Sequence, residues 1–321
     1  MDVSIIINSS WNFCILMVRH DGCLGENMKL TNKYGLPQTI VNVLERPTYS
    51  KGKANLSVTQ LLNSPKIVAL TKKFDDELEQ DVADMVWSLF GTAIHGVLEH
   101  GKDENHVVEQ RIHTHHDGYN ISGAIDLQVI ENGSIHLKDY KTTSAWAVMN
   151  DKPEWEQQLN VYAWLVEKEK KQPVSSLGIV AIIRDWSRRD AENKEDYPPA
   201  PIKEIPIKLW SYEEREKYVS DRISAHSSCE FAMEIGGDLP DCTPEEMWEK
   251  PHSWAIKKIG GVRAKSVYDN EAEAQKDLEA LGKDYMIEHR PGERTRCEKF
   301  CQVNTYCQQY RNYLSTKGET K

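Results

Sequence analysis

The feature that most constrains this chain is a pair of strand-like runs joined by a tight turn near its middle. ISGAIDLQVI leads into ENGS, and IHLKDYKTT follows. Asn132-Gly133 is a strong hairpin signal, because a two-residue turn needs backbone angles that Asn and Gly tolerate best. The hairpin sets two strands side by side, and with them two carboxylates, Asp126 on the first and Asp139 on the second. Along the second strand Ile135, Leu137, Asp139 and Lys141 alternate with His136, Lys138 and Tyr140, so Asp139 and Lys141 project from one face. Two ionised carboxylates this close repel each other unless a cation lies between them. Hard oxygen ligands for Mg²⁺ or Mn²⁺ beside a fixed lysine are what metal-assisted phosphodiester hydrolysis requires. The alternative is a surface hairpin with solvated charges; an Asp-x-Lys triplet by itself is a weak signal.

Two helical stretches flank this hairpin. MVWSLFGTAIHGVLEH places His95 and Glu99 one turn apart on a face, with His95 the stronger ligand candidate and Glu99 a supporting one. Glu109, at the start of the strand VVEQRIHTH, is a further supporting candidate. KPEWEQQLNVYAWLVEKEKK opens after Pro153 with acids and closes in lysines, matching the helix dipole. Trp155, Leu159, Tyr162 and Val166 form one apolar stripe, and Gln158 shares a face with Tyr162. Taken alone, this is an ordinary core-packing helix with a surface glutamine.

Together these motifs resemble the PD-(D/E)XK nuclease superfamily, in its RecB-like exonuclease branch. The branch carries G-x-x-x-H on a helix, G-x-x-D on a strand, D/E-x-K on the next and Q-x-x-x-Y on a following helix. Here they run from Gly91 to His95, Gly123 to Asp126, Asp139 to Lys141 and Gln158 to Tyr162, in that order. Ile125 stands where the superfamily has a proline. The resemblance implies an α/β fold, a restriction-endonuclease-like core with a central mixed sheet flanked by helices. It implies that His95, Asp126, Asp139 and the Tyr140 carbonyl bind Mg²⁺ or Mn²⁺, that Lys141 is catalytic, and that Gln158 and Tyr162 support the site or contact DNA.

The C-terminal RPGERTRCEKFCQVNTYCQQY gathers Cys297, Cys301 and Cys307, three of the seven cysteines. No secretory signal is evident, so metal or cluster ligation accounts for them better than disulfides. Cys242 in DLPDCTPEEMWEK is the favoured fourth ligand; Cys14 and Cys23 compete with it. The segment from Cys242 to Cys307 resembles the tails of phage-encoded RecB-like nucleases, which implies a [4Fe–4S] cluster, with Zn²⁺ as the alternative because zinc more often uses Cys-x₂-Cys knuckles. The expected role is structural.

The net charge of −10 disfavours indiscriminate nucleic-acid binding but leaves room for a local basic groove. The expected organisation is a non-core extension over 1–27, a largely helical segment over 28–90, the nuclease core over 91–235 and a cysteine-cluster region over 236–321. Ser57-Val58-Thr59 caps a helix start. LGIVAIIRDW reads as an interior strand and IKEIPIKLW as an edge strand, while His113, His115 and His116 read as surface residues. The resulting expectation is a metal-dependent deoxyribonuclease, foremost an exonuclease in phage or prophage recombination or DNA processing. It would act on DNA in the cytoplasm of a bacterial host, beside a single-strand annealing partner and away from membranes. A structure-selective endonuclease, a non-catalytic DNA-binding scaffold and a cluster-run redox sensor are the rivals.

Overall fold

The computed structural model describes residues 28–45 and 52–319; Cys14 and Cys23 lie outside them. Two compact units divide the chain. Residues 79–224 and the described residues before 63 form the first, and residues 63–78 and 225–319 form the second.

The first unit is built on a six-stranded mixed sheet. Its strands are β1 (Leu56–Ser57), β2 (His106–His116), β3 (Tyr119–Glu131), β4 (Ser134–Thr143), β5 (Val174–Ile183) and β6 (Ile202–Ile207). β2, β3 and β4 form an antiparallel meander. Its two turns, Asp117-Gly118 and Asn132-Gly133, hold all four residues at positive φ, the type I′ geometry that suits the twist of the strands. β5 joins β4 in parallel, with Asp139 opposite Ile179 and Lys141 opposite Ala181. A parallel pair needs a long crossover, and helix α3 (Pro153–Lys170) supplies it, following α1 (Val86–Leu98) and α2 (Ala145–Met149). β6 then runs antiparallel to β5 along the edge. The sequence LGIVAIIRDW is therefore interior to the sheet and IKEIPIKLW lies at its margin, as their compositions suggest.

Helix α3 anchors the sheet. Pro153 occupies its first turn, where no backbone donor is needed. Glu154 and Glu156 face the positive end of the dipole and Lys168 and Lys170 the negative end. Every residue from Leu159 to Val166 is buried, a broader contact than the single stripe its spacing predicts. The extra cover comes from the chain after β6, where fully buried Asn160 donates to the Lys208 carbonyl and accepts the Trp210 N–H. A buried amide must find such partners or destabilise the fold. Ile121, Ile125, Ile135, Leu137 and Ile179 of the sheet and Leu159, Trp164 and Leu165 of α3 are among the largest fully buried side chains. The helix Val58–Leu62 starts with a reciprocal cap: Ser57 Oγ accepts the Gln60 N–H and Gln60 Oε1 accepts the Ser57 N–H.

The second unit contains the helix Pro65–Lys73, a three-stranded antiparallel sheet and the later helices Glu271–Leu281, Thr295–Lys299 and Gln308–Glu319. The sheet runs in the order β8 (Ala264–Tyr268), β7 (Ser253–Lys258), β9 (Tyr285–Arg290). Gly260, at φ 75°, turns the β7–β8 hairpin, and the helix Glu271–Leu281 follows. Among the described residues no helix is long and apolar enough to cross a membrane.

Candidate active site

His95 lies in the last full turn of α1. Its Nε2 sits 3.1 Å from the Tyr140 carbonyl on β4. Its Nδ1 sits 3.4 Å from Glu109 Oε1 on β2 and 3.6 Å from Asp126 Oδ1 on β3. One ligand atom from each of His95, Glu109 and Asp126 fits within 4.8 Å of the others, the one trio of metal-ligating side chains that does so among the described residues.

The strands make room for this gathering by breaking their own regularity. The β2–β3 ladder pairs Val108 with Leu127 and Gln110 with Ile125, and skips Glu109 and Asp126 between them. The β3–β4 ladder ends at Leu127 and Lys138, so it too stops short of Asp126. Beyond that point β3 pairs with β1, through Ile121 and Ser122. The Asp126 carboxylate fills the gap, accepting the Tyr140 N–H at 2.8 Å. The alternation of β3 slips in the same place. A Cβ on Gly123 would meet Tyr162 and Leu165 of α3, and Gln128 meets Lys170 of the same helix. Positions five apart on a regular strand face opposite ways. Glu109 takes φ 49° to follow the slip, a left-handed conformation that costs about 1 kcal/mol or more outside glycine.

Lys141 completes the site from β4. Its Nζ lies 2.8 Å from Asp139 Oδ2 and donates to Gln158 Oε1 at 2.9 Å. Gln158 Nε2 donates in turn to the Tyr162 hydroxyl at 3.1 Å. The pairing fixes the glutamine amide, because only its oxygen can accept from an ammonium. Tyr162 is buried against Gly123. A continuous chain of contacts thus runs from Gly123 through Tyr162 and Gln158 to Lys141 and Asp139.

The electrostatics are those of crowded carboxylates. Burial alone would lower the imidazole pKa of His95. The hydrogen bond with Glu109 and the charges of Asp126, Glu109 and Asp139 outweigh it and hold the ring protonated well above its ordinary range. Asp126 is pushed upward, first by burial and then by Asp139, against the pull of His95 and Lys141. Asp139 Oδ2 is buried and ion-paired with Lys141, yet no partner meets it at a hydrogen-bonding angle. Oxygen-rich ligands, mutual repulsion and an under-satisfied buried carboxylate oxygen fit a hard divalent cation, with one imidazole that Mn²⁺ tolerates.

His95, Asp126, Tyr140, Asp139, Lys141, Gln158 and Tyr162 are therefore brought together in one place. Glu109 joins them as a direct neighbour of His95, while Glu99 opens the short turn after α1 and is not in the trio. Of the three histidines read as surface residues, His113 and His115 are exposed. His116 is not: it is largely enclosed, with Ser220 at 2.9 Å, Lys168 at 2.7 Å and its ring edge-on to Trp164. The helical face of α3, invisible in the spacing of the histidines, covers it.

In the second unit Cys242, Cys297, Cys301 and Cys307 line one cavity, whose wall also includes Lys66 and Arg296. All four are free thiols. Burial pushes Cys242 and Cys297 up to about 11 and raises Cys301 as well. Ser64 Oγ lies 3.1 Å from Cys242 Sγ.

Among curated proteins nothing matches this chain. Two solved structures are similar over part of it. The protein SSO0001 is 18% identical, with 58% of this chain and 82% of that one covered at a TM-score of 0.40. A candidate exonuclease from Eubacterium rectale is 12% identical, with 58% and 70% covered at a TM-score of 0.28. The family model of the PD-(D/E)XK nuclease superfamily matches residues 69–308, which include the helix of His95, the meander with Asp126, Asp139 and Lys141, and all four clustered cysteines. With well over half of its length so matched, the chain belongs to the PD-(D/E)XK nuclease superfamily.

Proposed function

We propose that this protein is a Mg²⁺- or Mn²⁺-dependent deoxyribonuclease of the RecB-like branch that degrades DNA from its ends. The convergence of His95, Glu109, Asp126 and Asp139 beside Lys141 carries this reading. Asp126, Asp139, Glu109, His95 and the Tyr140 carbonyl would hold the metal, which offsets charge on the phosphate and activates the attacking water. The chain itself supplies position. Asp126 holds the β3–β4 gap open through the Tyr140 N–H. Lys141 presents a cation to the phosphate, and Gln158 and Tyr162 keep it from swinging away. A setting in phage or prophage recombination, with a single-strand annealing protein as partner, is proposed on the likeness of the Cys242–Cys307 segment to the tails of phage-encoded RecB-like nucleases.

The test is hydrolysis of end-labelled linear duplex DNA with Mg²⁺ or Mn²⁺, with closed circular DNA alongside. Shortening of the linear DNA, survival of the circle and an inert Lys141→Ala protein are expected. Cutting of the circle would replace the exonuclease by an endonuclease, and inertness of the parent on both would remove the catalytic reading.

The cysteine cavity is proposed to hold a [4Fe–4S] cluster. All four cysteines line it, and four thiolates are the usual ligand set of such a cluster. Lys66 and Arg296 would offset the cluster's negative charge. Its role is to fasten the C-terminal segment, since structural metal binding contributes directly to folding. Iron and sulfide analysis of anaerobically purified protein tests this; stoichiometric zinc in their place would overturn it.

A further inference from the structure

Three large aromatic side chains on the helices that flank the active-site strands are more than half exposed. Trp87 is 58% exposed, Phe90 53% and Trp146 61%. Single exposed apolar residues are ordinary, but two of these adjoin each other and two carry a cation. Trp87 and Phe90 are neighbours on α1, their rings 5.8 Å apart. The Arg184 guanidinium lies 4.5 Å over the Trp87 ring, and the Lys152 ammonium 4.8 Å over the Trp146 ring. Trp146 and Arg184 lie at the ends of β4 and β5 that follow the site, and Trp87 on α1 meets them through Arg184. Arg184 directly follows β5 and donates its N–H to the Thr143 carbonyl, two residues past Lys141, while Trp146 sits in α2, which β4 leads into.

We infer that these rings are a stacking platform for unpaired nucleotides of a DNA strand whose scissile phosphate lies at Lys141. The inference rests on the nuclease reading and names the substrate state that the site accepts. An aromatic ring with a cation on one face matches a nucleotide, the base against the free face and the phosphate against the charge. In a duplex the base faces are already stacked, so the platform selects single strands or frayed ends. The spacing agrees. Trp87 precedes His95 by eight residues of helix, about 12 Å at roughly 1.5 Å per residue. A stacked strand spaces its nucleotides by about 3.4 Å, which puts Trp87 some three to four nucleotides from the cleaved bond. In a chain of net charge −10, Arg184 and Lys152 supply the local attraction that the surface as a whole lacks.

The experiment is binding, kept apart from cleavage by using the full chain with Lys141→Ala. A fluorescent oligothymidine of about twelve nucleotides, within the usual site size for such surfaces, is titrated by anisotropy, and a blunt duplex of equal length is the comparison. Trp87→Ala and Trp146→Ala are each expected to weaken single-strand binding by about tenfold or more, with Trp87→Phe close to the parent and thermal melting unchanged. Single-strand affinity that neither substitution moves would overturn the inference. So would a duplex bound as tightly and weakened in parallel. A dimer that Trp87→Ala dissociates, with DNA affinity intact, would assign the face to a second copy and overturn it too. If the unsubstituted enzyme cleaves DNA while these variants bind as the parent does, the platform fails and the nuclease stands. If it never cleaves, the nuclease reading fails on its own assay.

Discussion

Replacing Gly123 by alanine tests the mechanical chain behind Lys141. The added Cβ would lie 2.8 Å from Tyr162 Cε1, 2.9 Å from Leu165 Cδ1 and 2.9 Å from Val58 Cγ2. Carbon atoms rest at about 3.5–4.0 Å, so all three neighbours must retreat by roughly 0.6–1.2 Å, and all three are buried. Overpacking of this kind costs about 1–3 kcal/mol, partly offset by the roughly 0.5–1 kcal/mol that glycine loses in a strand. The net expectation is a loss of about 1–2 kcal/mol, or around 2–8 °C in the melting of a domain this size. Activity should fall further than stability. Tyr162 carries the hydroxyl that holds Gln158, and Gln158 holds Lys141; misplacing a catalytic group by about 1 Å can cost on the order of 100-fold. Urea unfolding and single-turnover hydrolysis are the assays. Gly96→Ala is the control: nothing lies within 4 Å of its Cβ, and alanine should stabilise α1 by up to about 1 kcal/mol. A Gly123→Ala protein with parental stability and parental turnover would refute the chain of contacts.

Gln158→Leu removes the acceptor that steadies Lys141 and is expected to lower kcat about 100-fold with little change in KM, with Tyr162→Phe milder; steady-state kinetics decide. Glu109→Asn suits φ 49° better but gives up the carboxylate that faces protonated His95, so metal-free stability should change by less than about 1 kcal/mol while the Mn²⁺ requirement shifts upward, read by unfolding and by metal titration of activity. Saturating Mn²⁺, at about 100 times its Kd, should stabilise the protein by roughly 2.7 kcal/mol, and Asp126→Asn should abolish that gain in thermal melts. The His116 pKa is lowered, first by burial and then by Lys168, so the unfolded chain takes up a proton below pH 6.5 that the folded chain resists. Its contribution is complete above that pH and declines as pH falls from 6.5 through the lowered folded value; His116→Gln should flatten urea midpoints between about pH 7 and 5, where one proton is worth at most about 1.4 kcal/mol per pH unit.

Much of this arrangement was legible in the chain because it rests on local rules. Asn132-Gly133 fixes a turn, the turn fixes the neighbouring strands, and strict alternation along β4 puts Asp139 and Lys141 on one face, where they meet at 2.8 Å. Gln158 and Tyr162, four apart on a helix, had to be neighbours, and they are hydrogen-bonded. The enclosure of His116 and the breadth of the α3 contact were not legible, since both depend on helices that reach them from distant sequence.

Glu109 shows where such reading stops. A period of two assigns each strand residue to a face only while the period holds, and β2 and β3 abandon it at the residues that build the site. If β3 alternated regularly past Asp126, Gly123 and Gln128 would not both meet α3. A regular ladder would also pair the backbones of β3 and β4 through Asp126 and leave its carboxylate no reason to take the Tyr140 N–H. The slip opens the sheet just where His95, Glu109 and Asp126 converge, and the left-handed Glu109 carries part of its cost. Local strain persists only when the surrounding structure over-determines it. Here the type I′ turns at either end of β3 and the packing of Gly123 under Tyr162 and Leu165 do so. The irregularity is therefore a consequence of a rigid frame closing around crowded acids, and the acids are tolerable together only in the company of positive charge.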